Sequence, residues 1–305
     1  MKPNIKRSIL FISLTFVSSW LIAGLFYALG GKWNTPASLM VGVVYMFVPM
    51  IVAIVIRKVI YREELRQPLG ISFKFNRWFI VAWLLPVIMT FAAFGIGLLL
   101  PGVEYSPEMS GLLDRFRSLV TPDKLQEIEH QIQSSPVNPI WIVLLQALVT
   151  GITISAVAGF GEEMGWRGFL QKELGYMGFW KPSLLIGFIW GVWHFPIILQ
   201  GHNYPQHPIA GVFMMTAWCV LLGPIFSYIR LRAKSVIAAA IIHGSINASG
   251  GLAILLLRGG NDLTIGMTGL AGFIVVILAN IALIVYDLFL AENSIMEDFS
   301  LINYN

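Results

Sequence analysis

The sequence predicts an all-α, polytopic membrane helical bundle of about eight transmembrane helices, and three observations carry that reading. Of 305 residues, 57% are hydrophobic and only 12% are charged, where a soluble domain carries about 25% charged residues. The mean hydropathy is +0.76. Apolar runs of spanning length follow one another along the whole chain. Such a chain cannot cover itself with polar surface in water, so the bilayer is its solvent.

The runs fall at about 8–30, 37–57, 78–100, 139–160, 182–200, 209–229, 235–257 and 264–288. Lys2, Lys6 and Arg7 precede the first, as they would in a secretory leader. That run exceeds the ~7–15 apolar residues of a leader and is long enough for a ~30 Å hydrocarbon core. It is therefore read as the first transmembrane helix. The chain shows no internal repeat and is expected to form one membrane domain over 1–305.

Lysine and arginine placement sets the expected orientation, because cytoplasmic loops hold the excess. With the N-terminus inside, fifteen of the twenty cationic residues fall in inside segments; Lys32, Arg115, Arg117, Lys124 and Arg258 fall outside. Both termini are thus expected in the cytoplasm.

Segment 101–138 becomes an extracytoplasmic, amphipathic stretch. Its apolar residues Leu113, Phe116, Val120, Leu125, Ile128 and Ile132 recur at three- and four-residue steps among acidic and basic ones. One or two short helices on the outer surface are expected, with His130 solvated. Cys219 is the one cysteine, which excludes an internal disulfide or a thiolate metal cluster. Its apolar neighbours predict a buried, inert thiol.

Ionisable groups inside membrane segments are costly and mark candidate functional sites. The first is Gly161-Glu162-Glu163-Met164-Gly165-Trp166-Arg167, at the cytoplasmic end of the fourth run. Adjacent carboxylates beside a membrane helix repel each other and resist dehydration. Arg167, four residues after Glu163, shares its helix face and can pair with it, leaving Glu162 for chemistry. A solvated glutamate pair at a helix end is the plainer alternative.

The second is Trp190-Gly191-Val192-Trp193-His194-Phe195-Pro196. His194 lies up to about 20 Å along a helix from Lys181. Gly187 and Gly191 make a small-residue face that lets a neighbouring helix approach closely. Pro196 removes a backbone hydrogen bond and frees a carbonyl near Val192. Here the alternative is a histidine that merely hydrogen-bonds between helices.

The third is His243-Gly244-Ser245-Ile246-Asn247. His243 and Asn247 are four apart and stack on one face, about 13 Å beyond Lys234. Interhelical adhesion would explain them equally. Converging in one bundle, the three clusters would supply a base, a partner for it and oxyanion donors, the groups needed to add water to a peptide carbonyl.

At these residues the chain resembles the family of type II CAAX prenyl endopeptidases and bacterial CPBP, or Abi, proteins. That family carries Glu-Glu-x-x-x-Arg, Phe-x-x-x-His and His-x-x-x-Asn in order. This sequence has Glu162-Glu163-x-x-x-Arg167, Trp190-x-x-x-His194 and His243-x-x-x-Asn247; tryptophan replaces phenylalanine in the second. The resemblance covers about 139–255, the motif-bearing core.

The resemblance implies an eight-helix chamber open to the cytoplasm and an intramembrane protease within it. Glu162 would act as base, His194 would hydrogen-bond the water, and His243 with Asn247 would stabilise the oxyanion. Glu163 would position His194 or Arg167, and Arg167 would fix the glutamates, with Trp190 supporting. Its implied partners are membrane lipid and a membrane-anchored or prenylated peptide, with no nucleic acid. Family members of the prenyl protease type remove the three residues after a prenylated cysteine; others are linked to bacteriocin self-immunity or to trimming of membrane-associated peptides.

Metal-free catalysis is the favoured expectation, with no cofactor. A zinc site at Glu162, His194 and His243 is the lesser alternative. His202 and His207 fall in the outer loop, away from it. Two further readings compete with an enzyme. One is a non-catalytic immunity or scaffold protein; the other is a transporter using the same groups as a polar relay.

Overall fold

In hydrocarbon a backbone must satisfy its own hydrogen bonds, and uninterrupted apolar runs do so as helices. The computed structural model of this chain describes residues 5–33, 35–117 and 121–297. Lys2, Val120 and the terminal residues on which the placement of both ends rests lie outside these, as do the side chains of Arg115 and Phe116.

The helices are α1 (Ile5–Ala28), α2 (Pro36–Ile54), α3 (Arg77–Gly97), α4 (Ser110–Phe116), α5 (Pro122–Ser134), α6 (Ile140–Ile152) and α7 (Ile154–Glu163). They continue with α8 (Gln171–Glu173), α9 (Trp180–Trp193), α10 (Phe195–Leu199), α11 (Pro208–Ala233), α12 (Val236–Ser249), α13 (Leu252–Leu255) and α14 (Leu270–Val285). Wider π-type turns extend α2 through Val55–Ile60, α7 through Met164–Leu170 and α14 through Tyr286–Leu290. Two short strands, β1 (Glu104–Tyr105) and β2 (Leu257–Arg258), pair antiparallel with Glu104 opposite Arg258. They tie the segment after α3 to the one after α13.

Among the described residues, six helices are long and apolar enough to cross a membrane: Ile5–Ala28, Ala37–Ile60, Arg77–Gly97, Pro208–Ala233, Val236–Leu255 and Leu270–Leu290. The chain is an integral membrane protein built as a helical bundle. Ile140–Ile152 and Ile154–Glu173 make a seventh crossing when the pair, bent by 43°, is taken as one. The bend has a local cause. Thr150 and Thr153 donate their hydroxyls to the carbonyls of Gln146 and Val149, and such back-bonding bends a helix.

The run expected at 182–200 differs from the expectation of an unbroken helix. It is divided at His194 into α9, of 14 residues, and α10, of 5. Pro196 has no N–H to continue the ladder. The expected count of eight is therefore approximate.

α11 and α12 form the centre. Of the most apolar windows, 61% of the α12 one is buried against 17% of the α14 one. α12 packs on α7, α6, α3 and α11, and α9 packs on α11. The glycine face of α9 explains the second contact. A Cβ on Gly187 would stand 2.5 Å from the carbonyl oxygen of Cys219, and one on Gly191 2.5 Å from Cα of Thr216. Cys219 itself is buried, as its neighbours predicted. α5 has no buried residue and exposes His130. Ile132 at its end joins Met109, Leu252 and Leu255 in a small satellite core, so this segment sits on the bundle's surface.

Basic residues at the ends of several helices are held by carboxylates. Arg7 of α1 makes two bonds to Glu63, at 3.0 and 2.8 Å. Arg57 reaches the same carboxylate at 3.0 Å. The Arg7 hydrogen bonds hold the Glu63 carboxyl below its ordinary range, against the opposing effect of partial burial and helped by the charge of Arg57. Arg232, at the end of α11, pairs with the buried Asp287 beyond α14.

Candidate active site

Six of the seven sequence-selected residues come together. Glu162 and Glu163 close α7, Arg167 lies in the π turn that follows, Trp190 and His194 end α9, and His243 lies mid-way along α12. All six are buried, with Glu163 and Arg167 at 0% exposure and Glu162 at 2%. Burying charges in a low-dielectric interior is tolerated when they are paired, and Glu163 with Arg167 meets that condition.

Arg167 Nη1 stands 3.1 Å from both carboxylate oxygens of Glu163. Its guanidinium also lies over the rings of Trp190, at 4.9 Å, and Phe226, at 4.7 Å. The aromatic faces take the part of the cation that carboxylate does not.

His243 Nδ1 is 2.8 Å from Glu163 Oε1. A carboxylate accepts, so Nδ1 carries a proton and donates. Nε2 of the same ring faces Glu162 Oε1 at 3.8 Å. Two carboxylates and one guanidinium leave a negative balance, which an imidazolium at His243 would neutralise. Glu163 was expected to position His194 or Arg167; it holds Arg167 and His243, and His194 has another partner.

That partner is a backbone carbonyl. At the end of α9 the His194 N–H bonds to Gly191 O at 3.1 Å, one residue short of the α-helical pattern. The Trp190 carbonyl is thereby released and accepts from His194 Nδ1 at 2.7 Å. Because a carbonyl only accepts, the proton sits on Nδ1, and in the neutral ring Nε2 is the acceptor. The Trp190 side chain turns the other way: its indole Nε1 donates to Glu162 Oε2 at 2.7 Å. Thus α9 links the first and second motifs through a single residue.

Asn247 does not join the cluster. It lies one turn beyond His243 on the same face of α12, but its side chain is exposed. Three residues outside the motifs do support it. Tyr45 Oη and Trp20 Nε1 both donate to the Trp193 carbonyl, at 2.7 and 3.2 Å, and Phe226 flanks the His243 ring at 5.8 Å. Pro196 gave the sequence signal for a freed carbonyl near this turn; Trp190 and Trp193 are the residues whose carbonyls take side-chain donors. Tyr45 and Trp20 carried no sequence signal.

Among the described residues, no three His, Cys, Asp or Glu side chains are placed to hold one ion. His202 stacks on Trp33 at 5.1 Å and His207 pairs with Asp262 at 2.6 Å, outside the cluster. Beside the cluster, an apolar groove of about 630 Å³ runs between α3, α6, α7 and α12, lined by Phe73, Phe75, Phe79, Trp83, Phe160 and Ala240 among others. Phe160 precedes Glu162 by two residues and Ala240 precedes His243 by three, so two walls of the groove also carry the site.

Comparison with known proteins agrees with the motif resemblance. The family model described as type II CAAX prenyl endopeptidase Rce1-like matches residues 136–249, which include all seven selected residues. The chain is also 32% identical over 136 residues to a CAAX prenyl protease 2 of Methanococcus maripaludis. That match covers 41% of this chain and 45% of the relative, so the chain spans less than half the length of the curated protein it matches.

Proposed function

We propose that this chain is a membrane-embedded endopeptidase of the CAAX prenyl protease type, hydrolysing a peptide bond in a membrane-anchored, prenylated substrate with water activated by Glu162. The observation that carries this reading is the convergence of Glu162, Glu163, Arg167, Trp190, His194 and His243 from three separate segments into one buried, charge-compensated cluster. Interhelical adhesion alone needs no such juxtaposition of two carboxylates with two imidazoles.

In this mechanism a water lies between Glu162 and Nε2 of His194, which accepts one of its hydrogen bonds. Glu162 takes a proton as the water oxygen forms its bond to the carbonyl carbon. The carbonyl oxygen becomes an oxyanion, held by Nε2–H of an imidazolium at His243. Asn247, exposed one turn along α12 and outside the cluster, is assigned no step. Collapse of the tetrahedral species breaks the C–N bond, and the proton on Glu162 passes to the leaving amine. Glu163 and Arg167 hold His243 in register. No metal or cofactor is assigned a step.

The apolar groove takes the lipid anchor of the substrate. Each methylene removed from water is worth about 0.8 kcal/mol. The groove shares α7 and α12 with the site, so a chain held there delivers its attached peptide to Glu162. The whole chain acts as a single membrane domain with 101–138 on the outer face. Its cationic helix ends, with Arg7 and Arg57 gathered on Glu63, face the cytoplasm together with both termini.

The test is cleavage of a farnesylated Cys-a-a-X peptide by purified protein, beside Glu162→Ala and an unprenylated peptide. Cleavage of the prenylated peptide by the wild type alone supports the proposal. Equal cleavage of both peptides removes the prenyl requirement. A folded wild type that cleaves neither overturns the enzyme reading in favour of an immunity or scaffold role.

A further inference from the structure

Trp190 stands where the resembled motif has phenylalanine, and the difference is chemical as well as steric. A phenyl ring has no donor; the indole Nε1 of Trp190 lies 2.7 Å from Glu162 Oε2. Both residues are 2% exposed, and a hydrogen bond to a carboxylate away from water is among the stronger ones available to a side chain. The indole is itself held on several sides. Arg167 lies over its face at 4.9 Å, Phe226 packs at 5.5 Å and His243 at 5.5 Å. The backbone of the same residue fixes His194 through its carbonyl.

We infer that Trp190 is a positioning residue: its indole N–H engages Oε2 of Glu162, leaves Oε1 toward His243, and sets the Glu162 carboxylate relative to the His194 imidazole that its own carbonyl holds. The consequence for rate rests on the proteolytic reading proposed above; the contact does not. A ring that only filled space would take this donor from the carboxylate and leave the indole of Trp166 as the one beside it. A misplacement of about 1 Å at a reacting group costs on the order of 100-fold in rate.

Two measurements test this, one of them independent of activity. In protein labelled with indole-15N tryptophan, Trp190→Phe identifies the Trp190 Nε1–H signal. Glu162→Ala is expected to move that signal and speed its exchange with solvent, while Trp83 Nε1–H, bonded to the Leu148 carbonyl, stays in place. A Trp190 signal indifferent to Glu162→Ala overturns the contact. For rate, benzothienylalanine placed at position 190 keeps the ring shape and replaces N–H with sulfur. It is expected to lower kcat about 10- to 100-fold with KM within about twofold and the melting temperature unchanged. Full kcat in that variant overturns the positioning role. Should the wild type cleave nothing, the proteolytic reading fails while the spectroscopic arm still decides the contact.

Discussion

Nδ1 of His243 stands 2.8 Å from Oε1 of Glu163, and the same carboxylate holds Arg167 at 3.1 Å. The second glutamate of the pair is therefore a joint between α7, the π turn after it and α12. Its neighbour Glu162 has the indoles of Trp190 and Trp166 and the more distant His243 imidazole for company. Adjacent in sequence, the two carboxylates have different work, and their substitutions should separate.

Glu163→Ala leaves the fully buried Arg167 without its counter-ion and His243 without its orienter. Breaking a buried pair from one side costs about 3–5 kcal/mol. Thermal unfolding in detergent is expected to show a lowered midpoint together with loss of cleavage. An unchanged midpoint would contradict the joint.

Glu162→Gln keeps the shape and removes the base. Cleavage of the farnesylated peptide is expected to fall at least about 100-fold, with the unfolding midpoint close to that of the wild type. A variant that retains most of its rate would assign the base elsewhere.

Gly191→Val forces two methyl groups against the backbone of Thr216, where even a Cβ would come within 2.5 Å. Overpacking of this kind costs about 1–3 kcal/mol. It also displaces α9 and with it Trp190 and His194. Both the unfolding midpoint and kcat are expected to drop, whereas a solvent-side change such as Gln126→Ala on α5 should alter neither.

Glu63 gives a pH signature away from the site. Its folded pKa lies below the ordinary value because Arg7 and Arg57 favour the carboxylate. Its contribution is therefore complete above the unfolded pKa and is lost as pH falls through the folded one. Unfolding free energies measured across the acid range should converge for wild type and Glu63→Gln below that point and separate above it, by about 1 kcal/mol or less for a part-exposed pair.

A chelator tests the metal-free mechanism. Cleavage is expected to persist after treatment and dialysis. Activity abolished by the chelator and restored by zinc would replace the glutamate mechanism with a metal-assisted one.

The sequence by itself determined the solvent of this protein, its helical class and the positions of its chemistry. Composition and run length act locally: an apolar run long enough for the hydrocarbon core must be a helix, and a carboxylate or imidazole inside one is conspicuous wherever it falls. The glycine face of α9 was legible for the same reason, since Gly187 and Gly191 need only helical spacing to align. Pairing was not. Nothing in the spacing of Glu163 and His243, eighty residues apart, says that they touch, or that His194 turns to its own helix's carbonyl instead. Those choices depend on how α7, α9 and α12 pack. The break at His194 was half legible: Pro196 announced a missing N–H in the sequence, but only the fold divides the run there into two helices. Trp190 shows the division most clearly. As a letter it was an aromatic in place of another aromatic. Only the fold aims its N–H at Glu162 and makes the exchange a change of chemistry.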